Sequence, residues 1–384
     1  MTRMRTIFRC PFLTVALLGV LVFSLQGPLL AQEKASEGSL EVEVHPWEEA
    51  QRLFRGDPHW LGGDGASSAD LGDGRVLWLF GDSFVNLSTT GSRRDATMVR
   101  NSVAIQHGHD PATARMTFAW KRLGPHPRSF FREQGVEWFW PGSAVRIGRG
   151  LLVFLVRVGR ADNALGFESS GWKAVFVPNP DVSPTLWGMR DLAVPRTGGV
   201  LVGSASAFVL DGYLYAYGSD RGGHAAYAAR WKLEDAVSGN LAHPQWWMGP
   251  ELQWAGSGVP RKMPAPVFTG CQVEFTVHYE PELGGLVQVQ TLSLADPCLA
   301  LRFAATVSSA WSGSMCFFQP PERSSQGLLL YAGKAHKAFA GSQVAFTYAV
   351  NTLDPHRIMD DMGIYFPVVL KGTIRPRPDR EGSP

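Results

Sequence analysis

Residues 74–86, GRVLWLFGDSFVN, decide how this chain is read. The run from Val76 to Phe80 is apolar and short, so it belongs to a strand inside a sheet. It passes directly into Gly81, Asp82 and Ser83, which holds a carboxylate at the sheet's rim. A second acid, Asp64, lies upstream in WLGGDGASSADLGDG, and Arg100-Asn101-Ser102 lead into the apolar Val103-Ala104-Ile105 downstream. Two carboxylates, a guanidinium and an amide within one β-meander suit acid/base work on a polyhydroxylated substrate.

Outward from that stretch one pattern recurs: a short apolar or small-residue strand, a turn, then glycine and a further apolar strand. It occupies residues 65–83, 141–158 and 202–220, with weaker copies at 273–293 and 315–336. Further strand-like runs fall at 102–106, 117–121, 173–177, 225–232 and 344–350. Helical periodicity is confined to residues 46–54 and one turn at 233–238. The chain therefore reads as all-β, and five hairpin centres, each with room for about four strands, predict a five-bladed β-propeller. A pair of β-sandwiches is the competing architecture, but it does not call for the same glycine-plus-apolar motif at every repeat. Ring closure is expected between residues 40–44 and 365–370.

The first residues combine a basic start, MTRMRTIFR, with the apolar CPFLTVALLGVLVFSL and then QGPLLAQ. This predicts a secretory signal peptide over 1–31, cleaved after Ala31, with an uncleaved anchor as the alternative. A short disordered segment at 32–39, a single propeller domain at 40–375 and a disordered tail at 376–384 complete the expected organisation, that of a secreted or periplasmic monomer with no membrane insertion after cleavage. Of 36 basic residues, Arg3, Arg5 and Arg9 fall in the signal, leaving 33 against 34 acidic ones. That near-neutral balance argues against nucleic acid as a partner. Cys271, Cys298 and Cys316 remain in the exported part, and the sequence does not choose which two would pair.

Asp64 and Asp82 flank the first hairpin and are the leading catalytic candidates, each with a turn-forming role as its alternative. Glu137, in VEWFWPGS ahead of the second repeat, is a third; its neighbours Trp138 and Trp140 offer flat faces on which sugar C–H surfaces stack. Arg100 and Asn101 would tune the acids or hold hydroxyls. Asp220 and Arg221, with His224, follow the third repeat, and Lys334 and His336 follow the fifth. Polar residues at the same strand-end position in several repeats argue for one shared funnel. Tyr348 and Asn351, in FTYAVNT, would add hydrogen bonds. No P-loop, dinucleotide fingerprint, G-x-S-x-G elbow, Cys/His zinc spacing or linear calcium loop occurs, so no cofactor or metal is expected.

Taken together, GGDGA, WLFGDSF, RNS, FWPG, YAGKAH and FTYAVN resemble the domain of unknown function 4185 (DUF4185) family over most of the exported chain. That resemblance implies a five-bladed propeller related to glycoside hydrolase family 183 endo-D-arabinanases, with Asp64 and Asp82 as the acidic pair. The leading expectation is an exported glycoside hydrolase acting on a polysaccharide, with an arabinan among the candidate substrates. Its alternatives are a non-catalytic glycan-binding propeller and a polysaccharide lyase using Lys334 or His336 as base.

Overall fold

The run Gly150–Arg160 shows why these residues form sheets and how the sheets stack. Leu151, Val153 and Leu155 pack with Leu77, Leu79 and Ile105 of the sheet before it. Their alternating neighbours Leu152 and Phe154 pack with Leu214, Ala216 and Trp231 of the sheet after it. A strand covered on both faces must be apolar at every position, which is why its sequence reads as a continuous run.

In the computed structural model, the described residues are 40–377 except 89, 164–165, 223, 257–262, 294–295 and 338–342. The expected signal peptide, the segment 32–39 and residues 378–384 lie outside them. Among the described residues seven antiparallel sheets form, and the five with four or more strands follow one another along the chain. The first contains Ser67–Gly72, Arg75–Phe80, Ser102–His107 and Arg115–Ala119. The second contains Trp138–Ile147, Gly150–Arg160, Phe167–Val177 and Arg190–Leu192. Ser206–Leu210, Tyr213–Ser219 and Ala225–Lys232 head the third, which adds three short strands. The fourth runs through Phe275–Glu280, Gly285–Leu292, Cys298–Ala304 and Met315–Phe318. Leu328–His336, Val344–Thr352 and Pro367–Pro376 make the fifth, together with Leu40–Pro46 from the start of the described chain.

The first-listed strand of each sheet touches that of the next, and Leu328–His336 returns to touch Ser67–Gly72. Separate apolar cores fill the spaces between consecutive sheets. The space between fifth and first holds Val76, Trp78 and Phe80 against Ala345 and Val369. Each fully buried Leu or Phe contributes about 1.5–3 kcal/mol of transfer free energy, so the stability is spread over five interfaces rather than one core.

Two expectations shift. Residues 315–336 do not form a hairpin: Met315–Phe318 is the outer strand of the fourth sheet, whereas Leu328–His336 opens the fifth. The fifth sheet takes its outermost strand from residues 40–46, so no hairpin partner is needed just upstream of Gly327. That strand pairs from Leu40↔Pro376 to Pro46↔Leu370, later in the chain than the 365–370 partner expected. The two helical segments read from sequence are found as Glu48–Arg55 and Leu233–Ser238; a third, Pro355–Asp360, was not read. Cys298 and Cys316 form the disulfide, on adjacent strands of the fourth sheet, and Cys271 is a buried thiol.

Candidate active site

Asp64 follows the short strand Trp60–Gly63, and Asp82 precedes the short strand Ser83–Val85 that pairs with it. Backbone bonds tie the two acids together: Gly81 N–H donates to the Asp64 carbonyl at 2.8 Å, and Asp64 N–H to the Asp82 carbonyl at 3.4 Å. Gly81 is required here, because a Cβ at that position would lie 2.6 Å from Asp64 Oδ1. The FGDS motif is thus the sequence trace of a carboxyl group packed against a backbone.

Asp64 is nearly buried, at 7 % exposure. Its Oδ2 accepts a 2.7 Å bond from the Tyr331 hydroxyl, which in turn accepts from Asn351 Nδ2 at 3.0 Å. Burial first, then the negative charges of Asp82 and Glu274, push its carboxyl well above the usual range, against the opposing effects of Tyr331 and Lys334. Burial raises Asp82 too, but there the Arg100 charge and donors from Trp140 and Arg100 oppose it. Arg100 Nη1 lies 3.1 Å from Asp82 Oδ2, and Trp140 Nε1 donates to Oδ1 at 3.0 Å. The Arg100 guanidinium also sits over the Trp138 ring, 4.5 Å from its centroid.

Asp64 borders a cavity of about 250 Å³, with Trp140, Phe167, Glu168, Arg221 and Glu274 also in its wall. Asp82, fully buried, does not. Glu274 was missed from the sequence. It stands just ahead of Phe275–Glu280, and its Oε1 accepts a 2.7 Å bond from Lys334 Nζ. Its Oε2 is buried with no partner among the described residues.

Tyr331 was missed as well, and the reason lies in its strand. Tyr331 pairs with Ala349 and Lys334 with Thr347, so three steps on one strand oppose two on the other. Ala332 takes a left-handed φ of 55°, and a Cβ at Gly333 would lie 2.6 Å from Thr291 N. Residues three apart face opposite ways in a regular strand; this bulge brings both to the Asp64 turn. There Tyr331 meets the carboxyl, while Lys334 donates to the Gly65 carbonyl and to Glu274.

The other sequence candidates separate clearly. Arg221 borders the cavity and donates to the Ser170 carbonyl at 2.9 Å. Trp138 packs behind it against Trp140 and Phe167. Glu137 lies off the cavity, accepting from Ser170 Oγ at 3.1 Å with Arg157 Nε at 3.5 Å. Asn101 is buried and saturated: its amide donates to the Phe131 and Phe139 carbonyls, and its oxygen accepts from Phe131 N–H. Asp220 caps its own turn through His224 N–H. His336 is held between Ser68 Oγ and Thr347 Oγ1, with burial pushing its pKa down to about 3. Tyr348 donates to Glu322 at 2.9 Å on the second strand of the fifth sheet. Asn351 acts at one remove, through Tyr331. Among the described residues no group of three or more His, Cys, Asp or Glu is placed to hold a metal ion.

Residues 48–363 match the family model described as "Domain of unknown function (DUF5005)", and the chain belongs to that family. This corrects the resemblance to the 4185 family: short Gly/Asp motifs at strand ends report turn chemistry that different sheet proteins share. The endo-D-arabinanase implication drawn from that resemblance loses its basis. No curated protein matches the chain. Among solved structures, a protein from Bacteroides ovatus described as a putative hydrolase is similar at a TM-score of 0.69 and 14 % identity, covering 86 % of this chain and 90 % of that one. The catalytic domain of a GH62 α-L-arabinofuranosidase from Coprinopsis cinerea aligns at 0.45 and 11 %, covering 82 % and 91 %. An exo-1,5-α-L-arabinanase from a bovine ruminal metagenomic library aligns at 0.42 and 9 %, covering 85 % and 97 %. At these identities the first likeness bears on fold alone.

Proposed function

We propose, with membership of that family as the premise, that this protein is a glycoside hydrolase built on a five-bladed β-propeller. The five sheets are its blades, and the pairing of residues 40–46 with 370–376 closes the ring. The observation that carries the reading is Asp64: a buried carboxyl, pushed towards its protonated form, in the wall of a cavity shared with Trp140 and Phe167. A protonated acid gives its proton to a leaving glycosidic oxygen, and aromatic faces hold the sugar ring. Asp82, paired with Arg100, stands behind Asp64, and its charge is one of the causes that raise the Asp64 pKa. The hydrolase description of the Bacteroides protein agrees with this reaction class.

A lyase reading is weaker in this geometry. Lys334 is committed to Gly65 and Glu274, His336 to Ser68 and Thr347, and neither borders the cavity. The decisive assay is reducing-end release by the full chain on arabinans, xylans, galactans and bacterial-envelope glycans. Release by the parent and none by Asp64→Asn would establish the activity; sugar binding without release by either would leave a glycan-binding propeller.

A further inference from the structure

Glu274 is a carboxylate that none of the roles above uses. Its Oε1 is ion-paired with Lys334, itself only 1 % exposed, while Oε2 is buried and has no partner among the described residues. Buried polar atoms without a partner are uncommon, and this one belongs to a side chain that keeps 16 % exposure and lines the cavity. Asp64 lies just ahead of the first sheet and Glu274 just ahead of the fourth, and both reach the same cavity. Their links to Leu328–His336 are parallel: Tyr331 bonds Asp64 and Lys334 bonds Glu274, across the bulge at 332–333. One strand therefore gives a neutral hydroxyl to one acid and an ammonium to the other, so of the two only Glu274 has a full positive charge bonded to its carboxyl group.

We infer that Glu274, rather than Asp82, is the ionised carboxylate that meets the sugar in this cavity and serves as base. This rests on the glycosidase reading and names its second acid. In the step, a water oxygen bonds to the anomeric carbon as the water gives a proton to Glu274. The glycosidic C–O bond breaks, and the leaving oxygen takes the proton of Asp64. Both carboxyl groups then exchange with solvent, so the balance is one water consumed per bond cleaved. Asp82 acts through Asp64 and Trp140 as a positioning residue.

The test reads binding and turnover separately, using Glu274→Gln, whose amide oxygen can still accept from Lys334. The binding probes are the iminosugars 1,4-dideoxy-1,4-imino-arabinitol and deoxynojirimycin, followed by calorimetry, with thermal melting as the fold check. Their ring ammonium needs an ionised carboxylate, so a parent that binds either probe should lose about 10- to 100-fold in affinity on the substitution. Equal affinity in parent and variant, or no binding of either probe by the parent, overturns the assignment. Turnover on the glycan panel answers the other question. Lost iminosugar binding in the variant with no release by the parent would sink the hydrolase reading while leaving Glu274 as the sugar-facing carboxylate. Release by the parent and equally by Glu274→Gln would sink the base assignment while leaving the hydrolase.

Discussion

Asp64 and Asp82 stand on either side of one turn, joined by two backbone hydrogen bonds, yet their surroundings are opposite. Asp64 has a phenol for a partner and a cavity in front of it. Asp82 has a guanidinium and an indole, and lies wholly inside the protein. Burial alone would drive both towards the neutral acid; the partners decide how far each goes. The lesson is that proximity on the chain says little about protonation, which is set by what the neighbouring sheets deliver.

The largest effect should come from Asp64→Asn, which keeps the shape and removes the proton. Turnover should fall about 10²- to 10⁴-fold, with melting temperature unchanged or higher. Activity within a few-fold of the parent would show that the contrast between the two acids has no catalytic meaning. Next comes Arg100→Met, which strands Asp82 without its cation. Arg100 is 34 % exposed, so the loss is discounted from the buried-pair range to about 2 kcal/mol. The sign with pH follows from a folded-state carboxyl pKa above its unfolded value: stability is kept at low pH and lost as pH rises through the folded pKa. The deficit of Arg100→Met should therefore widen from pH 5 to pH 8 and vanish with Asp82→Asn added; a pH-independent deficit would mean that packing on Trp138, not charge, was lost.

Tyr331→Phe probes the other side. Tyr331's bond lowers the Asp64 pKa, so its removal should carry the alkaline limb of the pH–activity profile to higher pH, at a stability cost of about 1 kcal/mol. A downward movement of that limb would contradict the partner assignment. Smallest is Trp140→Phe, which removes one donor from Asp82 but keeps an aromatic ring at the cavity; about 1 kcal/mol should be lost in chemical denaturation, again more at high pH.

Much of this was legible in the chain. Apolar runs such as Leu151–Leu155 announce strands covered on both faces, and GDG and GDS announce acids at their ends. Four of the five sheets begin at the hairpins read from sequence. Glu274 was not legible, because in VEFTVHYE it alternates with apolar residues and reads as a solvent-facing position. Tyr331 was hidden by the bulge, since regular alternation puts it on the face away from Lys334. Asn101 and His336 misled for the opposite reason: their polar groups are consumed by the Phe131 and Phe139 carbonyls and by Ser68 and Thr347. Periodicity reports which residues are inside, not which inside groups already have partners.

The strand 40–46 pairs with 370–376, so the earliest described strand to leave the ribosome cannot find its place until the last one is made. The fifth sheet can be completed only once residues 370–376 are made, and its closing contacts span a long sequence separation, which loop-closure entropy makes slow. Until then Val42 and Val44 and the apolar face of Val344–Thr352 stay open to other chains, which makes this seam the place where a folding helper or an aggregation partner would first engage.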